Sequence, residues 1–285
     1  MNIPRSPEVQ TNVGLAWDMG DVMYTDYWRE GPLGEVVKPN GTIALETDLK
    51  VSDEVVAFLK ARGRNVVSEE EGRTAEYGAL NAEYLDPIDG TDDFKNSRLL
   101  LRHLRQSIGA FSLGSAVNGR IVRGVINLPV LCAPRLYWAE EAIGSFRVMR
   151  RNGPEERLEI NPDLRRGVVL ASANEHPYKE RLRKMGFTVI GLDGIVFKAA
   201  CVADTNLLHD FDPALIPTNE TVVGMLSDSA QPHDYAAAKA LAGGAGAVAC
   251  GVDGGTLPLV EGKHGCVFAN SGHTRDLLLE ALGTR

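Results

Sequence analysis

Asp86-Pro87-Ile88-Asp89-Gly90, with Thr91 next and Phe94 three positions later, is the segment of this chain best equipped for chemistry. Two carboxylates held apart by a proline and followed by a glycine make a compact site for a hard divalent cation, which takes oxygen ligands. A hydroxyl and free backbone N–H groups come directly after them and suit an anion. Asp-Pro-x-Asp-Gly alone serves a tight turn as well as a metal, because each of these residue types favours turns. Thr91 and Phe94 at their offsets favour the functional reading.

Phosphate-ester hydrolysis has such requirements. The substrate is already anionic, so it repels hydroxide, and its alkoxide leaves poorly. Divalent ions address both problems by acidifying water and neutralising the transferring group. Asp86 and Asp89 would flank a metal pair, with the Ile88 carbonyl as a further oxygen ligand. Glu69 and Glu70, in a Glu triplet, follow a β-like run a short loop before Asp86. Taken alone, that triplet reads as a solvated acidic loop.

The elements that must position these groups follow from periodicity. After an irregular start, Ser52–Leu59 is predicted as a helix stopped by Gly63. Asn65–Ser68 and Ala82–Leu85 are predicted as short strands, so both acidic clusters sit at strand ends. Ser107–Val117 and Ile121–Asn127 are predicted as a hairpin across Asn118-Gly119. Leu136–Ala139 and Gly144–Val148 continue that sheet, and Arg150–Pro154 marks a boundary between an N-terminal α+β half (1–150) and a C-terminal α/β half (151–285). The second half has strands at Val168–Ala171 and Phe187–Ile190 and helices at Tyr178–Met185 and Phe197–Ala203. A further helix, Tyr235–Ala242, starts after His233-Asp234. The last, Thr274–Leu282, has Thr274 as N-cap and Gly283 as stop. The class is layered α/β or α+β.

The 285 residues, 44% hydrophobic, suffice for a large core. A net charge of −8 excludes a general polyanion-binding surface, so no nucleic acid polymer is expected as partner. Residues 1–10 show neither signal-peptide nor transit-peptide character, and no apolar run is long enough to span a bilayer; a cytoplasmic protein without membrane contact is expected. Cys132, Cys201, Cys250 and Cys266 are widely spaced, as free thiols in a reducing compartment would be. Asn40-Gly41-Thr42 and Asn219-Glu220-Thr221 match the glycosylation sequon by chance in such a protein. Gly243-Gly244-Ala245-Gly246 follows a helix, not a strand, which argues against a dinucleotide loop. His209, His264 and His273 are too dispersed for zinc, and residues 102–105 read as a solvated basic loop.

Asp86-Pro-Ile-Asp-Gly-Thr-Asp-Asp-Phe94 resembles the first signature of the inositol monophosphatase family, metal-dependent, lithium-sensitive phosphatases whose superfamily includes bisphosphate nucleotidases and fructose bisphosphatases. Thr47-Asp48, with Lys38 upstream, and Ser68-Glu69-Glu70 resemble earlier steps of the family pattern. His233-Asp234 with Ala236-Ala237 and Ala245-Gly246 resembles the second signature. The likeness implies an α/β/α/β/α sandwich and Mg2+ as cofactor, two or three ions with Mn2+ able to substitute. It implies Glu69, Asp86, Ile88 (through its carbonyl), Asp89 and Asp234 as metal ligands. Thr91 and Asp48 would orient and deprotonate the attacking water, and Glu70 would join this catalytic set or serve a weaker third ion. Gly90, Thr91 and Asp92 would hold the phosphate. Family members are often homodimers.

Three departures concern the substrate side. His233 replaces a tryptophan, Gly244 replaces the glutamate of Glu-Ala-Gly-Gly, and the stretch between Ala203 and Asp234 is longer than usual. Asp228 is the acid placed to meet a substrate hydroxyl. Ser172 and Lys198 resemble a feature of the nucleotidase branch, although Lys198 equally suits a helix lysine reaching for solvent. The expected function is Mg2+-dependent hydrolysis of a small phosphorylated polyol such as inositol monophosphate, with no phosphoenzyme. Two alternatives are a 3′(2′),5′-bisphosphate nucleotidase and a catalytically weak metal- or phosphate-binding regulatory protein. Asp89→Asn is expected to abolish turnover with little loss of folding.

Overall fold

Residues 4–38, 43–70, 74–100, 106–217 and 219–284 are described by a computed structural model. Asn40-Gly41-Thr42, Glu71 and residues 102–105 lie outside them. Where the sequence suggests an irregular start, the chain forms a long helix, α1 (Pro7–Trp28), with Pro7 in its first turn and the Ser6 hydroxyl accepting the Val9 N–H at 3.3 Å. Gly14 and Gly20 interrupt its apolar pattern, yet Val9, Val13, Ala16, Met23 and Tyr27 still line one buried stripe.

The hairpin β1 (Glu35–Val37) and β2 (Ile43–Leu45) leads into α2 (Glu46–Lys60). This helix begins six residues earlier than its periodicity suggests, because Asp48 caps it. Then follow β3 (Val66–Ser68), β4 (Ala82–Asp89), α3 (Thr91–Leu100), β5 (Ala110–Val117), β6 (Arg120–Leu128), β7 (Arg135–Glu140), β8 (Gly144–Val148) and β9 (Glu155–Leu158). These seven strands form one sheet in sequence order, with β3 parallel to β4 and every other pair antiparallel. Asn118 and Gly119 turn the β5–β6 hairpin with φ of 51° and 74°, the left-handed pair that Asn-Gly predicts. The boundary expected at Arg150–Pro154 is instead a turn inside this sheet, since β9 pairs with β8 beyond it. Backbone pairing thus continues past residue 150.

The remainder runs β10 (Val168–Ala171), α4 (Pro177–Lys184), β11 (Thr188–Gly191), α5 (Ile195–Ala203), α6 (Leu207–Phe211), β12 (Val222–Ala230), α7 (Pro232–Ala245), β13 (Val248–Gly251), β14 (His264–Ala269) and α8 (Gly272–Leu282). The second sheet has the order β11-β10-β12-β14-β13. Helix α7 takes in His233 and Asp234, which the sequence reading leaves outside it. For α8 the N-cap is Ser271, not Thr274: the Ser271 hydroxyl accepts the Thr274 N–H at 3.2 Å, while Gly283 ends the helix at φ 80° as expected.

The layers are α1 and α2, the seven-stranded sheet, α5 and α7, the five-stranded sheet, then α4 and α8. This is the α/β/α/β/α sandwich the signatures imply. The extra stretch after Ala203 contributes α6, whose Asp210 pairs with buried Arg135 of β7. Asp204 accepts the Tyr137 hydroxyl at 2.9 Å and Arg147 at 2.8 Å, so the insertion is fastened to the large sheet. Among the described residues, no helix is long and apolar enough to cross a membrane.

Candidate active site

Asp86 and Asp89 stand at the end of β4, which is buried along its whole length. Their segment is strand rather than turn: the pairing of β4 with β5 shifts register between Asp86 and Asp89, and this irregularity aims both acids off the sheet end. Gly90, at φ 83°, turns the chain into α3, where the Phe94 N–H closes the first helical bond to the Gly90 carbonyl at 2.9 Å. The N–H groups of Thr91 and Asp92 therefore have no acceptor inside the helix. Phe94 is buried against Tyr27 and fixes the helix to α1.

The other acids arrive from three further elements. The Glu69 N–H bonds the Leu85 carbonyl at 3.1 Å, which extends the β3–β4 pairing and sets Glu69 beside Asp86. Asp48 lies in the first turn of α2, with Oδ2 accepting the Leu45 N–H at 2.8 Å. Asp234 holds the matching position in α7, with Oδ2 accepting the Gln231 N–H at 2.6 Å. Asp89 takes the Ile195 and Val196 N–H groups at 3.1 and 2.7 Å, so α5 begins on its carboxylate. Lys38, just after β1, reaches Glu69 at 3.1 Å and Glu70 at 2.6 Å.

The electrostatics record this convergence. Burial, then the charges of Glu69, Asp89, Asp234 and Asp48, push the Asp86 carboxyl well above the usual carboxylate range. Asp89 is raised to about 7, by burial and then by Asp234. Asp48 is raised to about 8 by burial, against the Leu45 N–H, with Glu69 and Glu70 adding repulsion. Glu70 is raised by burial although Lys38 opposes it. For Lys38 burial acts downward, but Glu69 and Glu70 outweigh it and the net shift is upward.

Two buried oxygens, Asp48 Oδ1 and Asp86 Oδ1, have no hydrogen-bond partner among the described residues. Orphaned carboxylate oxygens amid mutually repelling acids are the donor set of a hard divalent cation, and the residues fit Mg2+ or Mn2+. The cage is not drawn closed: no three His, Cys, Asp or Glu side chains among the described residues stand at ligand spacing. The acids share one region: backbone N–H groups hold Asp48, Asp89 and one oxygen of Asp234, and Lys38 holds Glu69 and Glu70.

Thr91 departs from its expected partner. Its hydroxyl donates to the Ile88 carbonyl at 2.9 Å rather than to Asp48. Asp92 is exposed, so only its backbone N–H suits a phosphate. Asp93, which the sequence does not mark, accepts the Ser107 hydroxyl at 2.8 Å and the Ile108 N–H at 3.0 Å and ties α3 to the segment leading into β5.

Beside the acids lies a cavity of about 250 Å³ whose lining includes Ser172, Tyr178, Ile195, Lys198 and Asp228. It meets the metal-type site at Ile195, whose N–H is held by Asp89. Ser172 donates to Asp228 at 3.3 Å. Lys198 is buried and donates to the Leu192 carbonyl at 3.0 Å. Burial lowers its pKa, against the charges of Asp89, Asp193 and Asp228. The three expected substrate residues are thus brought together. His233 gains a role the sequence does not announce: Nε2 lies 2.9 Å from Asp234 Oδ1 and Nδ1 lies 2.6 Å from the Tyr77 hydroxyl.

Comparison with known proteins agrees with the fold. The family model of the inositol monophosphatase family matches residues 5–284. No curated protein matches the chain. Among solved structures, the IMPase of Thermotoga maritima superposes with a TM-score of 0.74 at 20% identity, over 97% of this chain and 96% of that one. The extragenic suppressor protein SuhB of Bartonella henselae gives 0.71 at 22% identity, over 96% and 98%. Inositol monophosphatase II of Staphylococcus aureus gives 0.71 at 18%, over 96% and 92%. At these identities the likeness to each solved structure is one of fold.

Proposed function

Since this chain belongs to the inositol monophosphatase family, phosphoric monoester hydrolases, we propose that it hydrolyses a small phosphorylated polyol such as inositol monophosphate in a Mg2+-dependent reaction. The carrying observation is the gathering of Glu69, Asp86, Asp89 and Asp234, with orphaned oxygens on Asp86 and Asp48, at the mouth of the α3 N-terminus. Two or three Mg2+ ions, or Mn2+, held by Glu69, Asp86, the Ile88 carbonyl, Asp89 and Asp234 would neutralise the phosphate and make bound water acidic.

The chain's own groups do the rest. The Thr91 and Asp92 N–H groups receive phosphate oxygens at the positive end of α3. Asp48 Oδ1, with no competing donor, takes the proton of the attacking water once the metal ions hold Asp48 ionised. Thr91 orients the water. Glu70, neutralised by Lys38, shapes the field beside Asp48. Water displaces the alkoxide in line, with no phosphoenzyme.

Asp228 and Ser172 would meet the hydroxyls of the leaving group. Three acids, Asp193, Glu175 and Asp228, line the cavity beside the single lysine Lys198, which spends one N–H on the Leu192 carbonyl. Such a lining favours a neutral polyol over a second phosphate and weakens the nucleotidase reading. A homodimer belongs to the same proposal and is checked by light scattering.

A phosphate-release panel with Mg2+ tests the proposal, using inositol 1-phosphate, fructose 1,6-bisphosphate, histidinol phosphate and adenosine 3′,5′-bisphosphate. Inositol 1-phosphate should be turned over fastest. Preference for the adenosine bisphosphate would replace the polyol with a nucleotide. Silence on all four, with metal still bound, would leave the regulatory binding protein.

A further inference from the structure

We propose that His233 and Tyr77 form a positioning pair that locks the carboxylate of Asp234 in the orientation needed to ligate a divalent cation. The inference rests on the reading of Asp234 as a metal ligand.

His233 is 3% exposed and occupies the second position of α7, immediately before Asp234. A carboxylate can only accept, so His233 Nε2, 2.9 Å from Asp234 Oδ1, carries the proton of that bond. In the neutral imidazole Nδ1 is then an acceptor, and it faces the Tyr77 hydroxyl at 2.6 Å. In that neutral form the order is Tyr77 O–H to Nδ1, then Nε2–H to Asp234 Oδ1. The second oxygen of Asp234 is held independently by the Gln231 N–H at 2.6 Å.

One donor on each oxygen fixes the rotation of the carboxyl plane and leaves the other lone pairs for an ion. A single helix cap would not achieve this, because a carboxylate pinned at one oxygen still swings about its side-chain torsion. Tyr77 is itself anchored from outside α7: the Gly78 N–H bonds the Leu259 carbonyl at 2.6 Å, and Ala75 bonds Val66 of β3 at 3.0 Å. The chain of bonds thus ties Asp234 to the segment between Glu69 and Asp86. It registers the ligand from the C-terminal half against those from the N-terminal sheet. Outer partners of metal ligands act in this way.

The test is Mn2+ titration by calorimetry and water-proton relaxation on the full chain, with melting temperatures taken in metal-free buffer. His233→Phe should weaken Mn2+ binding about tenfold or more. His233→Gln sets an amide N–H as many bonds from Cβ as imidazole Nε2 and should restore affinity to within about threefold of the parent. Tyr77→Phe, which removes one hydroxyl, should weaken binding severalfold without unfolding the chain. It decides the matter should His233→Phe fail to fold. Equal affinity in the parent, His233→Phe and Tyr77→Phe overturns the pair while leaving the phosphatase reading intact. Equal loss in the Phe and Gln variants assigns His233 to packing and also overturns it. A parent chain that binds no Mn2+ overturns the ligand reading and this inference together.

Discussion

The carboxylate of Asp89 accepts the backbone N–H of Val196 at 2.7 Å, so an acid that ends a strand of the large sheet also begins the buried helix α5. The expectation that Asp89→Asn leaves folding nearly untouched is revised by this bond and by its companion from Ile195. At pH 5.5, below the value of about 7 to which Asp89 is raised, relief of charge repulsion plays little part. Under those conditions Asp89→Ala should cost about 1–3 kcal/mol in urea unfolding, because buried N–H groups lose their acceptor. Asp89→Asn retains one acceptor and should cost less, with phosphatase turnover abolished. Wild-type stability in Asp89→Ala would contradict the capping role.

Metal binding should grow stronger and release protons as pH rises from 6 to 8. Asp89 and Asp48 are raised from 3.8 to about 7 and about 8, and Asp86 is raised as well, so an incoming cation must displace protons. The stability sign is the reverse of the usual carboxylate case. Between about 4 and 8 the metal-free native state binds more protons than the unfolded chain, so these groups lower stability as pH rises through that window. The rise in melting temperature on adding Mg2+ should therefore be larger at pH 8 than at pH 6. A larger rise at pH 6 would refute the assignment.

Lys38 now holds the Glu69 and Glu70 carboxylates that a cation would need. Lys38→Gln should tighten Mn2+ binding about two- to fivefold, corresponding to an ion pair of about 0.5–1 kcal/mol at a half-open site. Calorimetric titration checks this, and weaker binding would show that Lys38 organises the acids instead of competing for them.

Thr91→Ala should lower kcat about a hundredfold while costing about 1 kcal/mol of stability for its bond to the Ile88 carbonyl. Asp48→Asn should be equally damaging. If the two act on one water, the double variant is hardly worse than either single variant. Additive losses would separate them, in keeping with the absence of a direct Thr91–Asp48 bond here.

Gly244 stands where the family signature has glutamate, and a Cβ there would lie 2.9 Å from the Gly144 carbonyl carbon and 3.0 Å from the Ser145 nitrogen. Helix α7 is pressed onto β8 too closely for any side chain. Gly244→Ala should cost about 1–3 kcal/mol by denaturant unfolding. An unaffected midpoint would mean that α7 yields more readily than this packing implies.

Local chemistry was legible in the residues themselves. Asp86 to Phe94 carries its own turn, cap and acid spacing, and Asn118-Gly119 carries its left-handed dihedrals, because both depend on neighbours in sequence. The long helix α1 escaped notice because Gly14 and Gly20 break its pattern, and the reason for Gly20, its close approach to Asn127 of β6, lies in no window of sequence. Asp48 and Asp234 could be nominated as acids. Their shared disposition, one oxygen on a helix N-terminus, emerges from where α2 and α7 begin. The Thr91–Asp48 partnership expected from the resemblance is not made here, since the hydroxyl finds a nearer acceptor in Ile88. Residue types and spacing thus determined which atoms were available for chemistry. Tertiary structure alone decided that Glu69, Asp86, Asp89 and Asp234 share one region, that α5 rests on Asp89, and that His233 reaches Tyr77. Those contacts join distant segments, and their geometry is set by the packing of two sheets around a common helical layer.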